Sequence, residues 1–136
     1  MVYYCISTLI QEEAKCVNWQ FNHTESVFVQ IANKLRSEIV SGKYAPNVQI
    51  PSVRQLAFDA SVNPNTMQKA LTVLEEEGLL YTKGTLGRFV TDDESIIEEA
   101  RERIRQRALM TLTEQMKILN ISPDELFEYI KKEEQI

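Results

Sequence analysis

Between residues 27 and 40 apolar side chains recur at three- and four-residue steps: Val27, Phe28, Ile31, Leu35 and Ile39, with Lys34, Arg36 and Glu38 between them. That spacing predicts an amphipathic helix, stopped by Gly42. Ala45-Pro46-Asn47 reads as a turn, since Asn tolerates a positive φ almost as Gly does. At Pro51-Ser52-Val53-Arg54-Gln55 the serine hydroxyl is placed to accept the Gln55 backbone N–H while the Gln55 side chain reaches back, a capping box. A short second helix follows, with Leu56 and Ala57 inward, and it runs out near Ala60-Ser61. A third begins almost at once. Asn63 is its N-cap, Pro64 sits where a missing N–H costs nothing, and Met67, Ala70, Leu71 and Leu74 follow at i, i+3, i+4 and i+7. Its expected stop is Gly78, directly after Glu75, Glu76 and Glu77, three anions at the end of a helix that disfavours them.

The next pattern is extended. Leu79-Leu80-Tyr81-Thr82 and Arg88-Phe89-Val90-Thr91 are β-prone runs joined by Lys83-Gly84-Thr85-Leu86-Gly87, whose glycines suit a turn, so they are expected to pair as a hairpin. Helical periodicity returns with Ile97, Ala100, Ile104, Ala108, Leu112, Met116 and Leu119, a stripe of about seven turns at ~3.6 residues per turn. Ser122-Pro123-Asp124-Glu125 then repeats the start signal, and Leu126, Phe127 and Ile130 give a final short helix its apolar face.

Charge divides the chain where this pattern changes. The 136 residues carry a net charge of −5. Residues 1–26 sum to −2, residues 27–91 to +2 and residues 92–136 to −5, which marks a seam near Thr91. The expected organisation is an N-terminal extension at 1–17, a helix-and-hairpin domain at 18–91 and a helical domain at 92–136. No apolar run approaches the ~18 residues of a spanning helix, and the opening segment lacks a secretory pattern, so the expectation is a cytoplasmic protein away from the membrane. Cys5 and Cys16 are too few for a disulfide framework or zinc cage, and His23 is the only histidine, so nucleophile–base pairs and His-rich metal sites have little to draw on. No catalytic residue, metal ligand or cofactor is expected.

Three helices, the last two joined by a tight turn and followed by a hairpin, form the plan of a winged helix-turn-helix. The expected fold class is therefore mainly α: that domain, then a two-helix dimerisation domain. In such a motif the start of the third helix enters the major groove of duplex DNA. This leaves Asn63, Asn65, Thr66, Gln68 and Lys69 as candidate contacts, with Asn65 and Gln68 suited to adenine edges and Thr66 and Lys69 to phosphate.

The chain from about Trp19 to Thr91 resembles the GntR-type bacterial transcription regulators. The resemblance rests on Phe28-Val29-Gln30-Ile31, Gly42-Lys43-Tyr44-Ala45-Pro46, Ile50-Pro51-Ser52-Val53-Arg54-Gln55-Leu56-Ala57, Val62-Asn63-Pro64-Asn65-Thr66, Leu74-Glu75-Glu76-Glu77-Gly78-Leu79 and Gly87-Arg88-Phe89-Val90, in that order. The Asn-Pro-Asn-Thr helix start and the short tail resemble the YtrA-type branch, whose small C-terminal domain serves dimerisation and has no room for a large effector pocket. By that resemblance Ser52 and Arg54 contact DNA from the second helix, and the wing around Gly84 to Arg88, with Gly84, Thr85, Gly87 and Arg88 as candidate contacts, approaches the minor groove; Arg54, Lys69, Lys83 and Arg88 are expected to displace phosphate counterions and make binding salt-dependent. Three positions depart from the family pattern: Asn47 stands where Gly is usual, the wing reads Gly-Thr-Leu-Gly-Arg in place of Gly-x-Gly-Thr, and Gln68 replaces a frequent Arg. The resemblance also implies that Val17 occupies the usual initiator position.

Arg101, Arg103, Arg105 and Arg107 fan around their helix, because alternate residues lie ~200° apart, and are expected to form a solvated face with pairs such as Glu98–Arg101 and Glu99–Arg103. The stripe Ile97, Ala100, Ile104, Ala108, Leu112, Met116 and Leu119, with Leu126, Phe127 and Ile130, is expected to cover the same face of a second copy. The functional expectation is a homodimeric, sequence-specific regulator, a repressor on a pseudo-palindromic double-stranded operator. The alternative is a winged-helix module that binds protein alone, which predicts no salt-sensitive shift of duplex DNA and no loss on Arg54→Ala. The operator, the regulated genes and any small-molecule effector are not legible in these residues.

Overall fold

The computed structural model describes residues 19–134. The expected N-terminal extension at 1–17, with Cys5 and Cys16, lies outside the described residues. The chain divides into two compact units, the first ending at Asp92 and the second starting at Asp93.

The first unit holds α1 (Val27–Val40), α2 (Val53–Ala60), α3 (Pro64–Glu76) and an antiparallel pair, β1 (Leu80–Thr82) and β2 (Arg88–Val90). In register, Leu80 faces Val90, Tyr81 faces Phe89 and Thr82 faces Arg88. Ile31, Leu35, Leu56, Met67, Leu71, Leu74, Leu79 and Val90 are the large side chains buried completely, so the three helical stripes and one face of the hairpin meet in a single core. Val27, expected on the inward face of α1, is exposed; it belongs to the first turn, beyond the reach of that core.

The helix ends follow local chemistry. Ser52 Oγ accepts the Gln55 N–H at 3.2 Å, but the capping box is only half made, because the Gln55 side chain donates to Asp59 Oδ1 at 2.7 Å, four residues ahead. Asn63 Oδ1 caps α3 by accepting the Asn65 N–H at 2.8 Å. The turn between these helices passes through Ser61, held in the left-handed region at φ 54°. Asn47 likewise takes φ 63°.

Residues 47–50, from the end of the expected Ala45-Pro46-Asn47 turn onward, form a structure the sequence did not predict. Asn47 N donates to Val90 O (2.9 Å), Val90 N to Val48 O (3.0 Å) and Ile50 N to Arg88 O (3.0 Å), so this segment lines the outer edge of β2. An isolated bridge pairs Gln49 with Phe89. The hairpin is thus secured on both sides of β2.

The second unit is α4 (Glu94–Leu119) and α5 (Pro123–Glu133). Asp93 caps α4, its side chain accepting the Ser95 N–H at 2.9 Å, and Asn120 ends it in the left-handed region at φ 57°. The Ser122–Glu125 capping box is complete: Glu125 N donates to Ser122 Oγ (3.2 Å) and Ser122 N to Glu125 Oε2 (2.8 Å). The Glu98–Arg101 and Glu99–Arg103 pairs form as expected.

Candidate nucleic-acid interface

α3 presents two opposed faces. Met67, Ala70, Leu71 and Leu74 are wholly buried, which anchors the helix. Asn65, Gln68 and Lys69, three and four residues apart, share the solvent side, and Thr66 is half-buried beside them. Among the described residues the Asn65 and Gln68 side chains have no hydrogen-bonding partner within the chain. Their amides keep both donor and acceptor, the pair that an adenine edge in a major groove requires. Asn63 is less available, since its side-chain oxygen already serves the cap. Ser52 is in the same position: its oxygen accepts Gln55 N–H, leaving the hydroxyl hydrogen to donate outward.

Seven cations lie between residues 27 and 91, and the structure sorts them. Arg36 is spent on Glu77 in a two-pronged contact, Nε to Oε2 at 2.8 Å and Nη2 to Oε1 at 2.5 Å. Lys43 reaches the buried Glu38 carboxylate at 2.9 Å. Tyr44, half-buried near that carboxylate, has its phenol pushed above its usual value by burial first, then by the charges of Glu38 and Asp59. Arg88, expected as a DNA contact, donates from Nε to Glu75 Oε1 at 3.0 Å and is mostly covered. Its charge is neutralised inside the head. Arg54, at the second position of α2, is exposed and without a partner among the described residues. Lys69 Nζ rests 4.0 Å from the centroid of the Phe28 ring, a cation–π contact that holds the ammonium at the α1 side of α3.

The wing residues divide similarly. Lys83, Gly84 and Thr85 are exposed, while Gly87 and Arg88 are half-buried. Gly87 takes φ +121°, a conformation strained for any residue with a side chain, and a Cβ there would also press on the Gln49 amide at 2.9 Å. That amide donates to the Leu86 carbonyl and clamps the tip. At the root, Glu75 accepts from both Thr82 Oγ1 and Arg88 Nε. Sequence reasoning missed Glu75 and Gln49; the only signal for Glu75 was an acid where the helix dipole disfavours one.

In the second unit the apolar stripe is not uniform. Ile97 and Ala100, expected to meet a second copy, are buried within the single chain. Ile104, Met116 and Leu126 are half-buried, and Ala108, Leu112, Leu119, Phe127 and Ile130 are exposed, together with Leu109 and Met110. No residue of α5 is buried. An open cavity of about 360 Å³ lies where α4 turns into α5, between Met116, Ile121 and Pro123.

Among the described residues no group of three or more His, Cys, Asp or Glu is placed to hold a metal ion, and no helix is long and apolar enough to cross a membrane. His23 is exposed.

Comparison with known proteins agrees with this geometry. Residues 28–90 match the family described as bacterial regulatory proteins, gntR family. The uncharacterized HTH-type transcriptional regulator YhcF of Bacillus subtilis (strain 168) is 30% identical over 112 residues, covering 82% of this chain and 93% of the relative. The HTH-type transcriptional repressor YtrA of the same organism is 29% identical over 113 residues, covering 78% and 82%. A solved GntR family transcriptional regulator from Listeria monocytogenes superposes with a TM-score of 0.75 at 31% identity, over 82% of this chain and 98% of that one. With a winged helix-turn-helix followed by two helices, and these relatives along most of its length, the chain belongs to the gntR family of bacterial regulatory proteins.

Proposed function

We propose that this regulator is a homodimeric repressor that lays α3 in the major groove of a pseudo-palindromic operator, with residues 18–91 as the reading head and residues 92–136 as the dimerising domain. The observation that carries the reading is the pair Asn65 and Gln68: two exposed, unpartnered amides on a helix whose other face is locked in the core. Base edges are the partner that such amides suit. Ser52, Arg54, Asn63, Thr66 and Lys69 flank them with hydroxyl, amide and cationic groups for phosphates, and Lys83, Gly84, Thr85, Gly87 and Arg88 supply the wing.

Dimerisation rests on the exposed apolar residues Ala108, Leu112, Leu119, Phe127 and Ile130, helped by Ile104, Met116 and Leu126. Two helices alone do not bury such a face, and a second copy covers it at no cost in new sequence. A pair of heads then meets groove segments ~34 Å apart. Repression is favoured because a protein seated on a promoter blocks polymerase without further machinery, and the YtrA relative carries that name.

The test is fluorescence anisotropy of the full chain with duplexes from upstream of its own gene and with scrambled duplexes, across 50–200 mM salt, beside sedimentation of the free protein. A dimer with salt-dependent preference for one duplex, and reduced transcription from that promoter in vitro, supports the reading. A strict monomer, or no binding to any duplex at low salt, overturns it and returns the protein-binding alternative.

A further inference from the structure

The wing tip carries a bulky apolar group where a DNA-facing loop would be expected to carry charge. Leu86 is 62% exposed, and its neighbours Gly84, Thr85 and Gly87 are small, so its side chain dominates the tip. The backbone beneath it is held in place. Lys83 N donates to Gly87 O at 2.9 Å and Leu86 N to Lys83 O at 3.0 Å, while Gln49 clamps the Leu86 carbonyl from outside the hairpin. The side chain is therefore presented by a loop hydrogen-bonded on both sides.

The two wing cations differ in what they leave for a ligand. Arg88 is bound to Glu75 and mostly covered. Lys83 Nζ lies 5.7 Å from the Phe89 ring centroid, on the flank of the hairpin. A loop of this kind offers one apolar wedge with one cation beside it. Such a pairing suits the minor groove of duplex DNA, ~6 Å wide, with phosphates on its rims and apolar sugar and base edges within, where apolar side chains part base steps.

We propose that Leu86 is the specificity-determining residue of the wing, wedged at a minor-groove base step and reading the operator there by its deformability and not by charge. This rests on the DNA-binding reading above. Pyrimidine–purine steps, which unstack most readily, are the sequences it would select.

The experiment is binding-site selection from a randomised duplex pool by the full-length wild type, Leu86→Ala and Leu86→Lys, followed by affinity, salt dependence and end-to-end fluorescence transfer on the winning duplex. The substituted side chain lies at a solvent-exposed tip and its backbone bonds are untouched, and matching melting curves check that the variants fold. Wild type is expected to enrich pyrimidine–purine steps at a fixed distance outside the bases read by α3, and to bend the duplex. Leu86→Ala is expected to lose that flanking preference, the bend and about ten-fold in affinity on the selected duplex, with an unchanged salt slope. Leu86→Lys is expected to regain affinity with a slope steeper by about 0.9 per head and no flanking preference. Identical flanks and affinity for Leu86→Ala overturn the proposal, as does an equal loss on selected and random duplexes, or a change in oligomeric state without DNA. A wild type that enriches no duplex overturns the DNA-binding reading itself, a distinct result.

Discussion

Glu75, in the last turn of α3, accepts a hydrogen bond from Arg88 Nε at 3.0 Å, across 13 residues, and so joins the third helix to the first residue of β2. The same carboxylate accepts from Thr82 Oγ1 on β1. Both strands of the hairpin are tied to the helix at one point, which sets the angle between helix and wing. The tie also removes one positive charge from the wing.

Replacing that carboxylate therefore changes electrostatics in a defined direction. Glu75→Gln keeps an oxygen to accept from Arg88 but leaves the guanidinium charge uncompensated. Non-specific duplex affinity at low salt is expected to rise, with log K against log salt steeper by about 0.9 per head, as for one more neutralised phosphate. Anisotropy titrations at four salt concentrations measure it; an unchanged slope shows that Arg88 does not face DNA.

Arg54 and Gln68 should separate by the kind of loss they cause. Arg54→Ala is expected to weaken binding equally on operator and scrambled duplexes and to flatten the salt slope by about 0.9 per head. Gln68→Ala is expected to cost about 1–3 kcal/mol on the operator alone. Equal losses for Gln68→Ala on both duplexes would remove its base-reading role.

Leu71 is wholly buried between the helices. Leu71→Ala is expected to destabilise the head by about 2–5 kcal/mol, from lost burial plus the cavity left behind. Urea unfolding reads this as a lower midpoint, while Val27→Ala at the exposed start of α1 moves it little, within about 0.5 kcal/mol.

The Asp93 cap gives α4 a dependence on acid. Its carboxyl is held below the ordinary value of 3.8, first by the Ser95 side-chain hydrogen bond, which Ser95 Oγ makes at 2.5 Å, and then by the Ser95 backbone N–H. Because the folded value is the lower one, the stabilisation is complete above 3.8 and is lost as pH falls below it, through the folded value. Asp93→Asn keeps a capping oxygen but not the titration. Melting curves from pH 6 to pH 2.5 are expected to show a steeper acid decline for wild type than for the variant.

Helix starts and stops were legible in the sequence because their causes are local. Asn63 with Pro64, and Ser122 with Glu125, satisfy backbone N–H groups two or three residues away, and the spacing of Ile31, Leu35, Met67 and Leu71 repeats within a few turns. The winged plan and the exposed face of α3 follow from those elements. Long-range pairing decided the rest. The acids at the end of α3 looked misplaced until Glu75 met Arg88 and Glu77 met Arg36, 41 residues away. Residues 47–50, at and just after the expected turn, became a partner of β2. Periodicity records which face of an element is apolar, but not which distant group arrives to cover it or cancel its charge.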